Sequence, residues 1–156
     1  RYNQAGIPTY SELILGLPGE TYESFCIGMC RLIESGQNNS MTVYECQVYP
    51  RALVGDKAYQ QKHGIRTAKI PMHGIHYSPD FNGVDEFYEI IVSTRDMSFE
   101  KWLQAYMFSV ILQSFHHLGM LRCFAVYLRY EKNVSYYDFY TALYNYIFKK
   151  FKRIIK

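Results

Sequence analysis

Glu12-Leu-Ile-Leu-Gly-Leu-Pro-Gly-Glu-Thr21 decides the fold of this chain. Glu12 to Leu15 reads as the end of a β-strand, which the local pattern places over Thr9 to Leu15. Gly16, Pro18 and Gly19 then force a tight turn. Thr21 has a side chain suited to N-capping, and the helix it opens is expected to run to Ser35. Strand, glycine turn and helix N-terminus in this order bring bare backbone N–H groups to the strand tip. In sheets built of βα units, strand tips are where ligands gather.

Outward from this stretch, Arg1 to Ala5 reads as the last turn of a helix closed by Gly6. The helix after Thr21 should bury Phe25, Met29, Leu32 and Ile33, and Gly36 to Ser40 is turn chemistry. Met41 to Tyr49 reads as the next parallel strand, stopped by Pro50. Along it Val43, Glu45, Gln47 and Tyr49 alternate onto one face. Asp56 to His63 predicts a short helix closed by Gly64. Ile65 to Asn82 contains Pro71, Gly74 and Pro79 without a helical period; it reads as a long excursion with a short strand near Arg66 to Ile70. Glu86 to Thr94 is strand-like. Ser98 should cap a long helix through Leu118, ended by Gly119. Leu121 to Tyr130 is read as helix in preference to strand. Ser135 and Asp138 form a capping box before a last helix striped by Tyr136, Tyr140, Leu143, Ile147, Phe151 and Ile154. The expected fold class is α/β, with βα units and the excursion in residues 1–96 and a helical subdomain in residues 97–156.

The 156 residues suffice for one core, and the chain starts in mid-pattern without Met, so it reads as a piece of a longer protein. No signal peptide stands out, and no apolar run reaches the length of a membrane span. A net charge of +3 is too small to imply nucleic acid. Cys26, Cys30, Cys46 and Cys123 do not form a secreted disulfide framework, which points to a reducing cytoplasm. The sixteen tyrosines fit an aromatic pocket, an interface or biased codon usage.

Few residues suggest chemistry by themselves. Cys26 and Cys30 stand at i and i+4 on one helical face, where buried apolar thiols are common. His73 with His76, or His116 with His117, lack a Cys or carboxylate partner at a recognised metal-binding spacing. Lys149 to Arg153 offers cations to an acidic surface, or simply opposes the helix macrodipole. There is no P-loop, and no arrangement assigns a catalytic residue or a metal ligand.

Glu12 to Thr21, with Tyr22-Glu-Ser-Phe25 behind it, resembles the fifth βα unit of radical S-adenosylmethionine enzymes. Many members of that family read L-I-x-G-L-P-G-[EQ]-T here, an extended form of G-x-I-x-G-x-x-E. Residues 1–130 resemble, in order, the C-terminal half of members with an upstream cobalamin-binding domain. The resemblance implies the C-terminal part of a partial (β/α) TIM-like barrel followed by helices. It also implies that Ile14 packs on adenine and that Gly16, Gly19 and Glu20 form the cofactor loop. Backbone groups of Val48 and Tyr49 would meet the adenine edge. Glu12, Glu45 and Gln47 would share the lumen and hold substrate or S-adenosylmethionine, or else form a satisfied polar network there. Two positions depart from the pattern: Glu12 replaces the first glycine, and Glu20 comes one place late.

The cluster loop of this superfamily needs C-x-x-x-C-x-x-C, whereas Ile33 stands where a third cysteine after Cys26 and Cys30 would fall. The resemblance therefore implies that S-adenosylmethionine meets this chain, while a 4Fe–4S cluster and cobalamin are held by residues outside it. The implied partners are the upstream half of the same protein and a small-molecule or peptide substrate, with no membrane or nucleic acid. A methyltransferase-like activity would belong to the full-length enzyme, this part alone being inactive. The alternative is a free-standing α/β nucleotide-binding or protein-interaction module without catalysis.

Overall fold

The computed structural model describes residues 2–71 and 86–154. Strand β1 (Tyr10–Leu15) and strand β2 (Ser40–Glu45) pair in parallel, joined through helix α1 (Tyr22–Glu34). The order strand, glycine turn, helix, strand matches the expectation, and β1 starts one residue later than Thr9. Thr21 caps α1 reciprocally with Ser24: the Ser24 N–H donates to Thr21 Oγ1 at 3.1 Å, and the Thr21 N–H donates to Ser24 Oγ at 3.0 Å. Gly36, at φ +91°, closes the helix by donating its N–H to the Ile33 carbonyl at 2.9 Å.

Parallel pairing ends at Glu45, which corrects the expectation of one strand through Tyr49. The reason is loss of a partner. Beyond Leu15 the chain turns at Gly16, so only the Cys46 N–H still reaches β1, at the Leu15 carbonyl. Residues 46–48 take a new neighbour, strand β4 (Phe87–Ser93), and run antiparallel to it. The Ile91 N–H donates to the Cys46 carbonyl and the Val48 N–H to the Glu89 carbonyl. On its other side β4 pairs antiparallel with strand β3 (Arg66–Pro71), the short strand expected within the excursion. The rest of that excursion lies outside the described residues. Helix α2 (Lys57–His63) precedes β3, with Gly64 in the left-handed region as its cap.

Helix α3 (Phe99–Leu112) starts at Ser98, as expected, but gives way to a π-helical turn, Gln113–His117, before Gly119. Helix α4 (Arg122–Glu131) and helix α5 (Tyr136–Ile154) follow. Ser135 accepts the Asp138 N–H at 3.0 Å and donates its hydroxyl to the Asp138 carboxylate at 2.6 Å. At the other end of the chain, Asn3–Ala5 form a single 3-10 turn.

One core joins the two expected halves. Leu15 of β1 and Met41 of β2 pack with Phe25, Cys26, Met29, Cys30 and Ile33 of α1. The same cluster takes in Trp102, Ala105, Phe108, Ile111 and Leu112 of α3, and Tyr136 and Tyr140 of α5. Helices thus cover the β1–β2 face bearing Leu13, Leu15, Met41 and Val43. Among the described residues, no helix is long and apolar enough to cross a membrane.

Candidate functional site at the tip of β1

Among the described residues, no element packs on the other face of β1–β2. In register, Tyr10, Glu12 and Ile14 stand beside Ser40, Thr42 and Tyr44. Tyr10 is 70% exposed, Ile14 48% and Tyr44 49%. Parallel sheets are ordinarily covered on both faces, so an open apolar strip on a parallel pair marks a surface built to be covered.

Glu12 lies on this face, but Glu45 does not join it. Register places Glu45 opposite Leu15, on the helix-packed side. There, with burial as the main cause, it helps raise the Tyr106 phenol. The expected gathering of Glu12, Glu45 and Gln47 in one lumen is corrected: alternation sets faces along one strand, and a one-residue difference in register exchanges them between strands. Gln47 lies past β2, exposed, and accepts the Tyr49 hydroxyl at 2.7 Å. Two of the backbone groups expected at an adenine edge have partners within the chain. The Val48 N–H donates to the Glu89 carbonyl at 2.8 Å, and the Tyr49 carbonyl accepts the Ala52 N–H at 2.9 Å.

Gly16 and Gly19 differ in kind. Gly16 is buried at φ +105°, and a Cβ there would meet the Ile91 carbonyl oxygen at 3.1 Å and Trp102 Nε1 at 3.3 Å. It is glycine because β4 and α3 crowd it. The Trp102 indole N–H beside it is buried without a hydrogen-bond partner. Gly19 faces open space at φ +86°, and its N–H donates to Asp96 Oδ2 at 3.1 Å. Burial raises the half-buried Glu20 carboxyl. Its charge, with that of Glu23, adds to the burial that pushes the Cys26 thiol up to about 12. Asp96 and Trp102 were not among the sequence-derived site residues. Asp96 gives no local signal, since the residue it holds is 77 positions away.

The remaining candidates lie elsewhere. Cys26 and Cys30 face the core, and burial raises both thiols strongly. His116 is fully buried, within 2.9 Å of the Tyr140 hydroxyl through Nδ1 and 3.2 Å of Asn38 Oδ1 through Nε2. Asn38 Oδ1 can only accept, so Nε2 carries the proton and Nδ1 accepts from Tyr140. That is a structural role. His73 and His76 lie outside the described residues. Among the described residues, no three His, Cys, Asp or Glu side chains stand close enough to hold a metal ion.

The tip of β1 therefore offers an apolar side chain on an open face and a glycine loop before a capped helix. This set suits an apolar ring with polar edges, such as a nucleoside. The thiols of Cys26, Cys30 and Cys46 are buried and raised by that burial, and Cys123 lies exposed on α4.

No family model matches the chain. Two curated proteins are similar over almost all of it. One is the "Cobalamin-dependent radical SAM methyltransferase TokK" of Streptomyces tokunonensis, 33% identical over 147 residues. The other is the "2-(S-pantetheinyl)-carbapenam-3-carboxylate methyltransferase" of Streptantibioticus cattleyicolor, 31% identical over 147 residues. Each match takes in 94% of this chain, and the chain spans 21% of the length of each relative.

Proposed function

We propose that this chain, which matches the C-terminal part of cobalamin-dependent radical SAM methyltransferases, forms part of the S-adenosylmethionine-binding wall of such an enzyme. The observation that carries the reading is the exposed Ile14, two residues before a glycine loop at the tip of a parallel strand. Ile14 packs against the adenine, and the loop Gly16–Glu20 borders the adenosyl group. Glu12, on the same bare face, meets substrate or cofactor. S-adenosylmethionine, with a 4Fe–4S cluster and cobalamin held by other parts of the protein, supplies the methyl-transfer chemistry.

The bare face of β1–β2 is the inner surface of a partial (β/α) barrel that the preceding part of the protein completes. Helices α3 and α5 join α1 in covering the outer face. Four free cysteines, three of them buried, suit a reducing cytoplasm. The substrate is a small molecule or a peptide.

The test is calorimetry of S-adenosylmethionine binding to the full-length protein carrying Ile14→Asp. A carboxylate against the adenine face, together with the lost apolar contact, should weaken binding at least about tenfold. Because Ile14 is exposed on its own strand, the fold should survive. Unchanged affinity in a folded variant would remove Ile14 from the wall. A free-standing binding module would instead bind a nucleotide without any need for the preceding part of the protein.

A further inference from the structure

We infer that Asp96 is a positioning residue, tethering the Gly16–Glu20 loop in its ligand-ready shape across the gap between the turn after β4 and the N-terminus of α1. The inference rests on the proposed function, because it names what holds the cofactor loop in place.

Three contacts define the tether. The first is the bond from the Gly19 N–H to Asp96 Oδ2, at 3.1 Å. It places a carboxylate just ahead of α1, where the helix macrodipole favours negative charge. The second is the stiffness of the turn that presents Asp96. Thr94 Oγ1 accepts the N–H of Asp96 at 3.3 Å and that of Met97 at 3.2 Å, while the Thr94 N–H donates to the Met97 carbonyl at 2.8 Å. Thr94 is itself buried. The third is a brace from behind. The Arg95 N–H donates to the His63 carbonyl at 2.8 Å, and Gly64 packs so closely that an added Cβ would lie 3.2 Å from the Arg95 nitrogen.

The turn is therefore fixed by α2 on one side and reaches the loop on the other. Between Gly16, packed against β4 and α3, and the capped start of α1, the described residues give the loop little else to fix it: Gly19 faces open space, and the bond from the Glu20 N–H to the Leu17 carbonyl is long at 3.3 Å. Two glycines at positive φ leave such a segment with many accessible shapes once its outside contact is cut. Asp96 selects one of them before a ligand arrives, so the ligand need not order the loop itself. The same carboxylate occupies the anion-accepting position at Gly19, so the loop presents its rim to a nucleoside and does not cradle a phosphate.

The experiment compares Asp96→Ala and Asp96→Asn in the full-length protein, with two readouts. Hydrogen exchange of a peptide covering residues 17–24 reports the tether, and calorimetry with S-adenosylmethionine reports its consequence. Asp96→Ala should speed exchange and weaken binding about tenfold, whereas Asp96→Asn, which keeps an accepting oxygen, should restore most of both. Thr94→Val leaves the carboxylate in place but frees its turn; it should change both readouts in the same direction by less, and it decides the matter if Asp96→Ala does not fold. Unchanged exchange in Asp96→Ala overturns the tether. Faster exchange with unchanged affinity overturns its role in ligand binding. In that case Ile14→Asp shows separately whether the cofactor wall itself has been misplaced.

Discussion

Gly16 shows how one residue type can carry two explanations. The motif suggests a glycine kept small for a ligand, yet the missing side chain would point at the Ile91 carbonyl and the Trp102 indole. A valine there would have to adopt φ +105° and displace β4 backbone. Gly16→Val should therefore cost at least about 2 kcal/mol of stability. Chemical denaturation of the full-length variant should show this whether or not the cofactor is present. A variant of native stability that has lost only S-adenosylmethionine binding would restore the ligand as the reason for this glycine. Gly19 has the opposite character: open space around it, and one bond from its backbone N–H to a distant carboxylate. Sequence spacing treats the two glycines alike. Only the positions of β4 and α3, both far along the chain, separate them.

At the scale of elements, what was legible was local. The Thr21–Ser24 cap, the α1 face of Phe25, Met29 and Ile33, and the strand–helix–strand order all depend on neighbours a few residues apart. The switch at Glu45 was not legible, because Cys46 to Val48 look equally strand-like beside β1 or β4. Nor was the face of Glu45, which depends on register between strands. The π-helical turn at Gln113–His117 was also hidden within a continuous helical pattern, and it has a consequence. It brings His116 under α5 to Tyr140 and against Asn38, in the turn that leads into β2. Facing the ring are also His117, Tyr136 and Arg122, which donates from Nη1 to the Asn38 carbonyl at 3.0 Å. Burial, assisted by His117 and Arg122, lowers His116 from 6.5 to about 4. The folded state holds the ring neutral, while an unfolded chain takes up a proton below pH 6.5. Stability is therefore complete above that pH and falls, by up to about 3 kcal/mol, as pH drops towards 4. Denaturation curves at pH 7.5 and pH 5 should show the loss, and His116→Gln should reduce it. His117 would still contribute a slope of the same sign, since burial lowers its pKa as well. A pH slope identical in the variant would show that His116 is not the group responsible.

For the whole molecule, the question is how a 156-residue chain relates to relatives of which it spans 21%. The strip of Tyr10, Ile14 and Tyr44 lies exposed, while the other side of the sheet is packed by helices. On the proposed reading labour is divided: this part would shape a wall, and the redox centre would be held elsewhere. We predict that residues 1–156 alone will not assemble a 4Fe–4S cluster or cleave S-adenosylmethionine. A cluster that leaves one iron open to the cofactor needs three thiolates on the other three irons. Cys26 and Cys30 lie behind Phe25 and Met29 in the core, where burial keeps both thiols protonated at neutral pH. Cys46 is buried where the chain passes from β1 to β4, and its thiol is raised for the same reason. Cys123 is exposed on α4, beyond the core that holds the others. To bring three together, α1 would have to leave β1, undoing the packing of Leu15, Met29 and Ile33. Anaerobic reconstitution with iron and sulfide, followed by visible absorbance and an iron count, tests this directly. The expected result is no stoichiometric cluster, with free thiols still countable after desalting. A stable cluster lost on Cys26→Ala or Cys30→Ala would mean that α1 opens in solution, and that the redox centre lies within this chain and not beyond the bare face of its sheet.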